Sequence, residues 1–142
     1  MKGYFLTVIG FIGSGITYLI GGWDSALITL LIFMCIDFIT GLILAGVYHK
    51  SSKTKSGAIE SKVCWKGLAK KMVTLLFIVI ANRLDMMIGT TYIKDGVCIA
   101  FITNELISII ENAGLMGVPI PAIMTKAIEM LKKDGEDNEQ GY

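Results

Sequence analysis

Long apolar runs broken by short polar blocks organise this chain. A helix needs ~20 apolar residues (range ~17–25) to cross the ~30 Å hydrocarbon core of a bilayer. Four stretches meet that length: residues 4–21, 23–47, 72–93 and 96–114. Backbone exposed to lipid must satisfy its own hydrogen bonds, so each stretch is expected to be an α-helix. The first is the shortest and carries Gly10, Gly13 and Gly15. If it does not insert, three spans remain and the N-terminus changes side. The connections differ in kind. Residues 22–25 and 94–96 read as tight turns, residues 48–71 form a long basic loop, and residues 134–142 form an acidic tail expected to be disordered.

Composition strengthens this reading. Hydrophobic residues make up 54% of the chain and charged residues 18%, against ~45–50% and ~25% in soluble domains. The expected fold is therefore an all-α integral membrane protein, with one membrane domain over residues 1–133. The first apolar run ends in Gly21-Gly22-Trp23 without a small-residue cleavage pattern, so it is expected to be retained. A net charge of +1 gives no electrostatic case for nucleic acid. Cys35, Cys64 and Cys98 form no CxxC pair, and His49 has no neighbouring ligand, so no metal or cofactor is expected. The sequence contains no H-E-x-x-H, G-x-S-x-G or Walker loop, and an intramembrane aspartyl pair of Asp37 and Asp85 would lack a glycine-rich context.

Lysines set the orientation, because cytoplasmic loops collect them. With the basic loop inside, the cytoplasmic side holds Lys2, seven loop lysines, Lys126, Lys132 and Lys133, and the outer side holds Lys94 alone. Both termini then lie in the cytoplasm. Two segments look interfacial. Lys62, Lys66 and Lys70 recur every fourth residue before Lys71, while Trp65, Leu68 and Met72 line another face. That pattern describes a basic amphipathic helix anchored by Trp65 at the headgroups. Pro119 and Pro121 should break the fourth helix. The segment 120–133 beyond them places Ile120, Ile123, Met124, Ala127 and Leu131 on one stripe and turns Lys126, Glu129 and Lys133 elsewhere.

Five ionisable residues fall inside the spans: Asp37, Arg83, Asp85, Glu105 and Glu111. Each costs ~2.5–3.5 kcal/mol near the bilayer centre and should face protein or water. Counted from the expected inner helix ends, Asp37, Arg83 and Glu105 lie at one depth, so Arg83 is expected to pair with Asp37 or Glu105. Asp85 points elsewhere on its helix, toward another helix or subunit. Asn104, Ser108, Glu111 and Asn112 add a polar stripe to the fourth span. These groups either hold the bundle together or line a water-filled path, and a path through helices this few requires an oligomer. Gly10 with Ser14, and Gly41 with Ala45, give small-xxx-small pairs that permit close helix packing.

Three blocks, in order, resemble the phage holin family that includes the Cp-1-type holins and the holin-like toxin-secretion proteins of clostridia. They are Asp37-Phe38-Ile39-Thr40-Gly41 with Ala45; the loop carrying Ser51-Ser52, Ser56-Gly57 and Gly67-Leu68-Ala69-Lys70-Lys71; and Asn104-Glu105, Ser108-Ile109, Glu111-Asn112 and Gly117-Val118-Pro119-Ile120-Pro121. The resemblance covers residues 36–133. It implies a non-enzymatic protein of the bacterial cytoplasmic membrane that self-associates and opens lesions. Through them a cell-wall hydrolase or a large toxin escapes without direct contact. Two other readings fit the intramembrane charges: a small four-helix transporter using Glu105, or a structural membrane subunit.

Overall fold

A computed structural model describes residues 1–140 of the chain, with side-chain surroundings through Asp137. It is all-helical among these residues. The order is α1 (Lys2–Ile20), α2 (Ser25–Gly46), α3 (Ser61–Ile88), α4 (Tyr92–Leu115) and α5 (Ala122–Gln140).

The helix ends follow from local chemistry. Gly21, at φ 82°, closes α1 in the left-handed conformation that glycine adopts without penalty, and its N–H donates to Thr17 and Tyr18 carbonyls. Asp24 then caps α2, its Oδ1 accepting from the Leu27 N–H at 2.9 Å. Gly89, at φ 79°, ends α3. The turn between α3 and α4 therefore lies at residues 89–91. Lys94, Asp95 and Gly96, expected as that turn, sit in the first turns of α4 instead.

α3 corrects the sequence reading more deeply. The basic amphipathic segment and the third span are one unbroken helix of 28 residues. At 1.5 Å per residue it is about 42 Å long, more than the ~30 Å thickness of a hydrocarbon core. Lys62, Trp65, Lys66 and Lys70 are exposed on its first three turns. Lys71 is not a surface residue: its side chain is only 16% exposed.

The core is formed by Leu27, Leu30 and Met34 of α2, Ile78 of α3, Cys98 and Ile102 of α4, and Ile20 at the end of α1. Ile20 is the one buried residue of α1. Gly10 and Ser14 are exposed, and Gly10 has open space where a side chain would stand. Gly41 and Ala45 behave differently. Ala45 is buried, and a Cβ on Gly41 would lie 3.8 Å from Asn112 of α4. That small pair permits a contact inside the chain.

The outside is apolar. Ile28, Ile32, Ile36, Ile39 and Ile43 of α2 are all exposed, as are Leu76, Phe77, Ile80 and Leu84 of α3. An exposed apolar surface this continuous marks contact with lipid or another subunit. By length and composition, α1 and α2 qualify as membrane spans. α3 and α4 carry more charged residues than α2 and are not among them.

At the far end α4 stops at Leu115, close to its expected end near Gly114, while the tail departs from expectation. Gly117, at φ 84°, follows the end of α4, so the helix stops before Pro119 and Pro121. The prolines occupy the link, and α5 starts directly after Pro121, whose carbonyl accepts from the Met124 N–H. α5 then continues to Gln140 through most of the segment expected to be disordered. Opposite charges four apart, Lys132 with Glu136 and Lys133 with Asp137, favour continuation of the helix. Residues 141–142 of that tail lie outside the described residues.

A buried ion-paired layer as the candidate functional site

Three helices meet at one cation. Lys71 Nζ of α3 lies 2.8 Å from Asp37 Oδ2 of α2 and 2.6 Å from Glu105 Oε2 of α4. The side chains of Asp37 and Glu105 are 8% and 15% exposed. Asn112 extends the layer: its Nδ2 donates to Asp37 Oδ1 at 3.3 Å and to Thr40 Oγ1 at 3.1 Å. Asp37 thus accepts from two side chains on two different helices.

The expected ion-paired level exists, but its cation is Lys71 and not Arg83. Arg83 is exposed, and its Nη1 faces the Met86 sulfur of its own helix at 3.8 Å. The misplacement came from the assumed start of α3. Counted from Ser61, Lys71 is 10 residues in; Asp37 is 9 residues before Gly46, and Glu105 is 10 before Leu115. All three therefore stand ~14–15 Å from the same end of the bundle. Arg83 lies 12 residues further along α3.

The rest of the polar stripe divides. Ser108 is half-buried, and Lys53 Nζ from the basic loop approaches its Oγ at 3.4 Å. Asn104 is exposed at the rim of the same region. Glu111 is exposed and lines none of it.

A cavity of about 270 Å³ adjoins the layer, room for roughly nine waters at ~30 Å³ each. Asp37, Lys71 and Glu105 form its floor, and Ser51, Lys53, Thr54 and Glu60 of the loop line it from the other side. The loop is folded over this opening. The Ser51 N–H donates to the Gly57 carbonyl at 3.1 Å, and Gly57, at φ +74°, presses close against the His49 carbonyl. Ile59 packs on Gly46, where a Cβ would come within 2.9 Å of it.

A second polar cluster stands at the opposite end. Asp85 Oδ1 accepts from Thr90 Oγ1 at 2.6 Å and from the Ile93 N–H at 3.0 Å; its Oδ2 accepts from the Lys94 N–H at 2.8 Å. This carboxylate of α3 caps the N-terminus of α4, where exposed N–H groups and the helix dipole favour an anion. Of the two expected partners, another helix or another subunit, it meets another helix, α4 of its own hairpin. Lys94 is buried and pairs with Asp24 at 3.2 Å. Asn82 donates to the Leu19 carbonyl at 3.0 Å, which ties α3 to the end of α1. Asn82 was not singled out in sequence, and Lys94 and Lys53 were counted only for orientation. A lysine or asparagine near a turn gives no sign of burial, but Asp24 before an apolar run does announce a helix cap.

The apolar exterior, the inward-gathered charges and the two span-length helices define an all-helical membrane protein. The chain belongs to the bacteriophage holin family, which it matches over residues 14–133. The resemblance drawn from residues 36–133 is thus borne out, and the match starts earlier, within α1. An uncharacterized protein of Listeria monocytogenes is 35% identical over 94% of this chain and 90% of its own length. A 14.9 kDa protein of Clostridium perfringens is 35% identical over 84% and 86%. A probable holin of Bacillus phage phi105 is 29% identical over 78% and 77%. No solved structure matches the chain.

Proposed function

We propose that this protein is a holin: it accumulates in the bacterial cytoplasmic membrane, self-associates, and opens lesions that release a cell-wall hydrolase or a large toxin. Its membership of the bacteriophage holin family carries the reading. The structure supports it physically. α1 to α4 are the four spans, with the basic loop and N-terminus in the cytoplasm. With Lys71 withdrawn into the bundle and the lysines of α5 set aside, seven lysines still favour that side.

The ion-paired layer suits a protein that must first be inert in lipid and later open. Buried ion pairs add little net stability, yet breaking one is costly. The layer therefore holds α2, α3 and α4 in one arrangement, while lipid meets mainly isoleucine, leucine and phenylalanine. Opening requires the three charges to find water or new partners in an assembly, and the adjoining cavity is where water first reaches them.

Induced expression in a bacterium with and without a cytoplasmic wall hydrolase is the decisive test. Abrupt lysis only with the hydrolase is expected. Proton-coupled export of small solutes without leakage of larger ones would replace this reading with a transporter. Membrane accumulation without release of any reporter would point to a structural subunit.

A further inference from the structure

α5 is the part of the molecule that a lipid surface explains least. It does not extend away from the bundle. After the short link from α4 it turns back, and Leu131 packs against the core cluster that contains Cys98 and Ile102 of α4. Its half-buried positions, Ala127, Ile128, Leu131 and Gly135, form one helical face. The opposite face carries Lys126, Glu129, Lys133, Glu136 and Asp137, all exposed. With 19 residues, α5 is about 28 Å long, comparable to the ~30 Å bilayer core.

These facts conflict with lipid on every side of the bundle. If α4 crosses the membrane, a helix lying against it with Leu131 on the core cluster carries charges into the hydrocarbon. Intramembrane charges of this kind face protein or water. The core contact fixes which side of α5 faces protein, so the charged side is left for water.

We propose that α5 lines the aqueous lumen of the assembled lesion, its Ala127, Ile128 and Leu131 face seated on α4 and its Lys126, Glu129 and Lys133 face turned to the passing solution. This rests on the holin reading and adds which helix meets the cargo. Half of the polar stripe of α4 is then consumed inside the protomer: Asn112 is bonded to α2 and Ser108 to Lys53 of the loop, while Asn104 and Glu111 stay exposed. α5 adds a longer charged wall than those two residues provide.

The test uses the full-length purified chain in planar bilayers of phosphatidylethanolamine and phosphatidylglycerol under a KCl gradient. Lys126→Glu with Lys133→Glu should shift the reversal potential toward cation selectivity. Glu129→Lys with Glu136→Lys should shift it the other way. Opposite shifts from the two variants cannot arise from misfolding, which would lower conductance in both. As a second measurement, Cys35, Cys64 and Cys98 are replaced by alanine and a cysteine is placed at position 129 or at position 127. A charged methanethiosulfonate reagent should reduce the current for Glu129→Cys and leave Ala127→Cys unchanged. Unaltered selectivity in both charge variants, with conductance retained, would overturn the lining role and leave the holin reading standing. If the unsubstituted chain forms no conducting lesion, both fall together.

Discussion

The two polar clusters use similar residues for different ends. At the turn between α3 and α4, Asp85 takes two backbone N–H groups and a threonine hydroxyl, all within nine residues of itself in sequence. At the ion-paired layer, Asp37, Lys71 and Glu105 come from three helices, 34 residues apart at each step. A carboxylate that caps backbone groups is satisfied by the hairpin itself and has no second arrangement available. A carboxylate held by a distant side chain can exchange it. The Asp85 cluster is therefore built as a hinge pin, and the ion-paired layer as a contact that can be remade. A cavity adjoins the Asp37–Lys71–Glu105 layer.

The largest effect should come from Lys71→Met, which leaves two buried carboxylates without their cation. A loss of ~3–5 kcal/mol is expected for breaking such a pair, read by helix loss on titrating mixed micelles with SDS. Adding Asp37→Asn and Glu105→Gln should recover most of that stability while changing lysis timing. If the triple variant lyses on the normal schedule, the layer is structural and the contrast with the Asp85 cluster disappears. Asp85→Ala should cost about 1.5–3 kcal/mol in the same assay, since one charged acceptor serves three donors. Its signature is faster amide exchange at Ile93 and Lys94, with lysis timing altered only as far as protein abundance falls.

Gly21→Ala should follow at ~1–3 kcal/mol, from a left-handed backbone and a collision with Asn82. Gly10→Ala, inside the same helix with open space around it, should instead be neutral or stabilise by ~0.5–1 kcal/mol. A similar penalty at both positions would mean that α1 packs along its whole length. The smallest effect belongs to Arg83→Gln, within ~0.5 kcal/mol as for other exposed positions. A larger loss would return Arg83 to the charge layer.

Much of this architecture was legible from one sequence, and the reason is the solvent. A bilayer demands helices of fixed length and makes every charge conspicuous, so apolar runs located the helices and Asp37 and Glu105 stood out at one level. Small residues at Gly41 and Ala45 marked a contact that forms. The order of motifs from Asp37 to Pro121 carried the family. Other features depended on packing. Lys71 looked like one of seven loop lysines, because a sequence shows that a lysine follows a basic stretch but not where the helix carrying it begins. Eleven extra residues at the start of α3 moved it to the level of the carboxylates and moved Arg83 away. The amphipathic stripe of α5 was equally plain, yet an apolar stripe does not say what covers it. Only the tertiary structure decided that, by folding α5 back onto α4, because hydrophobic burial is non-directional and takes whichever apolar surface the chain can reach.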